Sequence, residues 1–215
     1  MNRVFYVNEL NSLVENVHTM GVDVLATLDK VIKNLENKDA ALAQQIMAND
    51  DYFDNEELTI EKQCFKLLLL QAPVASDLRE IASILMLVGD LERIADHSSD
   101  ISQYTLNLTE MKPAPLPADF LEMMKLMRTM VSASITAIHG NDAELAQKII
   151  DTDNKVDTYF HSLRGNLTSL MQDKPYFVPQ YVNYLMIVKY VERIADHATN
   201  IAEWVIYIVK NELQN

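Results

Sequence analysis

An all-α fold of two tandem three-helix bundles is predicted for this chain by three observations. A long stretch occurs twice, the composition favours helix, and a proline-rich run separates two similar series of helical segments. Residues 85–101 read LMLVGDLERIADHSSDI and residues 185–201 read LMIVKYVERIADHATNI, identical at 10 of 17 positions. Residues 39–54, DAALAQQIMANDDYFD, and 142–157, DAELAQKIIDTDNKVD, are identical at 8 of 16. Only 4 Gly and 6 Pro occur in 215 residues, whereas Ala, Leu, Met, Glu and Lys are plentiful, a composition of helix formers.

Six helical segments follow from periodicity and breakers. The first covers about 5–36, with Leu10, Leu13, Val14, Val17, Leu25, Leu28, Ile32 and Leu35 on one stripe and Gly21 as a point of slight bending. The second covers about 39–71, with Leu42, Ile46, Phe53 and Ile60 as its apolar face and Pro73 just past its end. The third covers about 75–109, with Val88, Leu91, Ala95, Ser98 and Ile101 facing inward. Residues 112–118, KPAPLPA, hold three prolines in five positions, which no helix interior accommodates. This run is the linker between a first repeat, 1–111, and a second, 119–215. The fourth helix covers about 119–139. The fifth covers about 142–171, with Asp142 as its N-cap. The sixth covers about 180–212, after the connector DKPYFVP at 173–179. The offset between repeats is 103 residues for the earlier block and 100 for the later. The slip therefore belongs to the connector between the second and third helices of each repeat.

Composition excludes several functions. A formal charge of −13 without a cluster of Lys and Arg argues against nucleic-acid binding. The single cysteine, Cys64, permits no internal disulfide and reads as a small buried hydrophobe. The N-terminal stretch MNRVFYVNELNSL lacks the apolar core of a signal peptide, and the apolar runs are too short to span a bilayer. The expectation is a cytoplasmic protein.

The acidic residues are placed in a pattern. Glu92, Asp96 and Asp100 recur at i, i+4, i+8, about 100° around the third helix from its buried stripe. The sixth helix repeats Glu192 and Asp196, with Asn200 at the third position. The second helix carries Asp50 and Asp54, and the fifth Asp153 and Asp157. Each repeat thus pairs two acid-x-x-x-acid sets on neighbouring helices. Four such carboxylates repel one another, and a bound cation would relieve the repulsion while using them as oxygen ligands. A solvated acidic face is the plain alternative.

Arg93 and Arg193 fit structural ion pairs, with the Asp at i+3 or with an acid on an adjacent helix. His97 and His197 follow the motif aspartates and are possible ligands, switches or packing residues. The interval from Glu92 to His97 is five residues, not the three of the Glu-x-x-His arrangement in di-iron bundles, which weakens a carboxylate-bridged metalloenzyme. No catalytic triad, phosphate-binding loop or zinc pattern is found, so no catalytic residue is assigned. A metal-free structural adaptor stands as the remaining alternative.

The two copies of the signature, LERIADH and VERIADHATNIAEW, the acid pairs at 50–54 and 153–157, and the run QAPVASDLR at 71–79 resemble the PhoU family of phosphate-specific transport accessory and regulatory proteins. The resemblance runs over nearly the whole chain. Ala95 and Ala195 stand where many members have glycine. The resemblance implies two three-helix bundles related by a pseudo-two-fold axis. It also implies multinuclear metal sites of Asp50, Asp54, Glu92, Asp96 and Asp100, and of Asp153, Asp157, Glu192 and Asp196, with iron or zinc bound. The implied role is to restrain phosphate uptake and the phosphate-starvation response, through the ATPase of the phosphate ABC transporter and a sensor histidine kinase. A homodimer, without nucleic acid, and contact with the membrane only through partners are implied as well.

Overall fold

In the computed structural model, which describes residues 3–70 and 74–211, every regular element is helical. The first repeat contains α1 (Arg3–Asn37), α2 (Ala40–Met47), α3 (Asp50–Leu70) and α4 (Ala75–Thr109). The second contains α5 (Asp119–Gly140), α6 (Ala143–Asp173) and α7 (Val178–Lys210), with a short 3-10 turn, Pro175–Phe177, before α7. The residues Gln71, Ala72 and Pro73, expected at the end of the second helix, lie outside the described residues, as does residue 212, the last position expected of the sixth.

The second expected helix is in fact two, α2 and α3, broken at Ala48 and Asn49. There the Asn49 amide donates to the Ile46 carbonyl, an i→i−3 bond that tightens the ladder and ends α2. Asn49, Asp50 and Asp51 are weak helix formers that compete for backbone groups, but so are Thr152, Asp153 and Asn154 at the equivalent positions, so propensity alone does not explain the break. The corresponding stretch of α6 runs unbroken. Both blocks begin on the same cap. An Asp39 carboxylate oxygen accepts from the Ala41 and Leu42 amides at 2.9 and 3.2 Å. Asp142 accepts from Glu144 and Leu145 at 3.1 and 2.9 Å. Each cap is worth about 1 kcal/mol.

α1 runs unbroken through Gly21. Its missing side chain is used for packing. A Cβ there would lie 2.9 Å from Cγ1 of Ile135 on α5, so α1 and α5 approach more closely than any larger residue permits.

The two repeats share one apolar core. Tyr6, Leu13, Val17, Met20 and Leu28 of α1, Leu87, Leu91 and Ile94 of α4, Met123, Met127 and Met130 of α5, and Ile187, Ile194 and Ile201 of α7 are all essentially inaccessible. Burial of each contributes roughly 1.5–3 kcal/mol. The methionines of α5 therefore belong to the core. Cys64 is buried, and burial pushes its thiol up to about 12.

The repeats meet along two antiparallel helix pairs, α4 with α7 and α1 with α5. Arg79 reaches the Ile208 carbonyl at 3.4 Å, and Asn107 bonds Asn183 at 3.2 Å at the other end of the same pair. Between them the repeat-equivalent His97 and His197 face each other, ring centres 5.5 Å apart, and mark where the pseudo-two-fold axis passes. Arg128 of α5 holds Asp29 of α1 with two bonds, at 2.7 and 2.9 Å. The linker is pinned by Gln180, whose amide donates to the Lys112 carbonyl at 3.0 Å.

Candidate metal centres

In the first repeat, α3 and α4 lie side by side, so the stripe of α3 that begins at Asp50 faces the stripe of α4 that carries Glu92 and Asp96. Asp50, Glu92, Asp96 and Asp100 are all half-buried, at the margin between core and solvent, while Asp54 is exposed. Burial, then the nearby charges of Asp96, Asp54 and Asp100, hold the Asp50 carboxyl above the ordinary carboxylate range. Burial is also the main reason that Glu92 is pushed up to about 7, reinforced by Glu57, Asp96 and Asp54 and opposed by Arg93. The structure thus brings Asp50, Asp54, Glu92, Asp96 and Asp100 into one cluster in which burial and the neighbouring carboxylates disfavour the ionisation of Asp50 and Glu92.

Glu57 joins this cluster and was not foreseen. It lies half-buried on α3, raised in pKa by burial and by Glu61, with its Oε1 3.3 Å from where a Cβ would sit at Gly89. The signal was in the sequence, because 50, 54, 57 and 61 share one helix stripe. Reading by duplication obscured it, since the equivalent position in the second repeat is Phe160.

The second cluster is built the same way from α6 and α7. Burial, followed by Asp196 and Asp157, pushes Asp153 up to about 6. Its Oδ1 is buried without a hydrogen-bond partner. Glu192 is raised by burial and by Asp196, Asp157 and Asp153. Asp196, at the exposed rim, is raised by burial and by Asp157. Asn200 takes no part. It turns to the first repeat and donates to Asp90 Oδ1 at 3.1 Å.

The arginines do not bridge helices. Arg93 pairs with its own helix, with Asp96 at 3.1 Å and Glu92 at 3.4 Å, and its side chain is 58% exposed, so the pairs contribute about 0–1 kcal/mol. Among the described residues Arg193 has no salt bridge within 4.0 Å, although its charge opposes the raised pKa of Glu192 and Asp196. The physical reason is their position next to the motif glutamates, turned outward from the helix pair.

His97 is buried, and burial lowers its pKa although its ring lies 3.3 Å from Asp100 Oδ2. A ring nitrogen of His97 and carboxylate oxygens of Asp96 and Asp100 come within 4.8 Å of one another, so His97 stands beside the first cluster as a possible ligand. His197 is drawn elsewhere, 2.8 Å from Asp90 of α4. The tyrosine equivalent to Asp90 is Tyr190, packed 5.2 Å from the His97 ring. The two histidines therefore have different surroundings at the repeat interface. The first cluster opens on a cleft of about 560 Å³ between the repeats, where Glu57, Glu92 and Arg93 face Asn200, Glu203 and Trp204.

The donor set fits a cation. Carboxylates predominate, burial and then neighbouring charges oppose the ionisation of Asp50, Glu92 and Asp153, and one buried acceptor has no partner. Such oxygen-rich sets hold hard cations, and carboxylate bundles also hold iron. No described helix is long and apolar enough to cross a membrane.

Comparison with known proteins gives one answer throughout. The PhoU domain pattern matches residues 17–105 and again 120–205. The phosphate-specific transport system accessory protein PhoU homolog of Streptococcus pneumoniae serotype 4 is 34% identical over 205 residues, 95% of each chain. The crystal structure of PhoU from Pseudomonas aeruginosa superposes with a TM-score of 0.93 at 31% identity, covering 96% of this chain and 100% of that one. That of the phosphate transport system regulatory protein PhoU from Streptococcus pneumoniae gives 0.92 at 32% identity, covering 98% and 99%.

Proposed function

Because this chain belongs to the PhoU family, we propose that it is an accessory protein of phosphate-specific transport that restrains phosphate uptake and the phosphate-starvation response. The observation that carries this reading is the full-length likeness to transport accessory proteins, with the acidic signature present in both repeats. The chain acts by binding rather than by chemistry. Its partners are the ATPase of the phosphate ABC transporter and a sensor histidine kinase, both reached from the cytoplasm. Two copies associate as a homodimer.

In this reading Asp50, Asp54, Glu92, Asp96 and Asp100 hold metal in the first repeat, with Glu57 and His97 at its edge. Asp153, Asp157, Glu192 and Asp196 hold it in the second. Of iron and zinc, the carboxylate-rich donors favour iron. The metal supplies positive charge that lets the carboxylates ionise together and ties α3 to α4 and α6 to α7. That fixes the acidic surface a partner meets.

The test is co-purification of the tagged chain with the transporter ATPase from cells grown in ample phosphate. Binding is expected for the wild type and reduced at least tenfold for a variant carrying Asp96→Asn and Asp196→Asn. An ATPase that never associates with the chain contradicts the partner assignment.

A further inference from the structure

We propose that Glu15, His18 and His139 form a separate binding site for a late first-row divalent cation such as Zn²⁺, placed between the two repeats. Glu15 and His18 are on α1 and His139 is on α5, so neither repeat holds the site alone. One ligand atom from each of the three lies within 4.8 Å of the others. The His18 and His139 rings are 4.4 Å apart, and Nδ1 of His139 is 4.0 Å from Oε1 of Glu15. In tetrahedral coordination with metal–ligand bonds of about 2.1 Å, ligand atoms stand roughly 3.4 Å apart, so small rotamer changes close the site.

The backbone brings these groups together for a stated reason. Gly21 lies three residues from His18 and Ile135 lies four residues from His139, so both are one helical turn away on the same faces. The absent Cβ of Gly21 lets Ile135 pack against α1, and that close approach sets the distance between the two imidazoles. The spacing of Glu15 and His18, i and i+3, puts both donors on the face toward α5. His139 sits in the last turn of α5, where the helix dipole favours a cation.

The chemistry differs from that of the carboxylate clusters. Two imidazoles and one carboxylate suit zinc, nickel or copper rather than magnesium or calcium. Three protein ligands leave one position for water. Neither histidine recurs in the duplication, since the equivalent positions are Leu121 and Glu36, so the site belongs to the assembled pair of repeats. A bound ion ties α1 to α5 about three helical turns from the Arg128–Asp29 contact.

The test uses the metal-stripped full chain and Zn²⁺ alone, read by the imidazole NMR signals of its five histidines. Two signals should move together as Zn²⁺ is added, and these should be the ones missing from the His18→Ala and His139→Ala variants. Each of those variants, and Glu15→Gln, should weaken the response of the remaining ring at least tenfold. His161→Ala should leave it unchanged. If Zn²⁺ leaves the His18 and His139 signals in place, the site is refuted. The same holds if each still responds normally after the other is removed.

Discussion

Replacing Glu92 with glutamine should stabilise the metal-free protein at pH 8 and leave it unchanged at pH 4. Glu92 has a side chain only 13% exposed and a carboxyl pushed from 4.5 to about 7 in the folded state. A raised carboxyl pKa means that the folded state binds the proton more tightly than the unfolded one, so stability falls as pH rises between the two values. Below about pH 4.5 the group is neutral in both states and contributes no difference. Above pH 7 it is ionised in both, and a shift of this size corresponds to a cost on the order of 3 kcal/mol. Glutamine removes that cost and gives up the pairing with Arg93, worth about 0–1 kcal/mol. The net gain at pH 8 is about 2–3 kcal/mol, which raises the melting temperature of a chain this long by roughly 5–10 °C. Urea unfolding of both proteins at pH 4 and pH 8, after chelation and dialysis, measures it. If Glu92→Gln destabilises the metal-free protein at pH 8, or changes stability equally at both pH values, the reasoning from carboxylate crowding is wrong.

Asp153→Asn should behave likewise in the second repeat, gaining about 2 kcal/mol above pH 6, and should add to Glu92→Gln because the two clusters have no common member. Adding the cognate cation at about one hundred times its dissociation constant should stabilise the wild type by about 2.7 kcal/mol. A chelator should reverse that gain, and the Glu92→Gln, Asp153→Asn double variant should show less than half of it in thermal melts. Gly21→Ala should destabilise the protein by about 1–2 kcal/mol, because the overpacking cost against Ile135 exceeds the roughly 1 kcal/mol gain in helix propensity. In an Ile135→Ala background, which lacks both crowding γ carbons, Gly21→Ala should cost less in urea unfolding.

The fold was legible because two kinds of signal agreed. Repetition marked the halves, and the apolar stripe of the third expected helix matched the buried face of α4 residue by residue. The break between α2 and α3 was missed because Asn49 and Asp50 lie inside an otherwise periodic stretch, where a two-residue tightening leaves the apolar spacing nearly intact. Gly21 carried a packing role that only the facing Ile135 explains. At the candidate centres, spacing alone placed the carboxylates on matching stripes, and the structure brings those stripes together. Of the two pairings expected of Arg93 it supplies the one with Asp96 at i+3 and no bridge to an adjacent helix, because a residue next to the stripe is turned about 100° away from it. The different fates of His97 and His197 depend on what faces each across the α4–α7 pair, Tyr190 in one case and Asp90 in the other, and that pairing is tertiary information.

The central claim is that this chain restrains the phosphate-starvation response. The most direct test is the output of a phosphate-starvation reporter in phosphate-rich medium, in wild-type cells and in a strain without this chain. The account predicts high output in the deletion strain, returned to the low wild-type level by the chain supplied on a plasmid. Output that stays low in the deletion strain would contradict it.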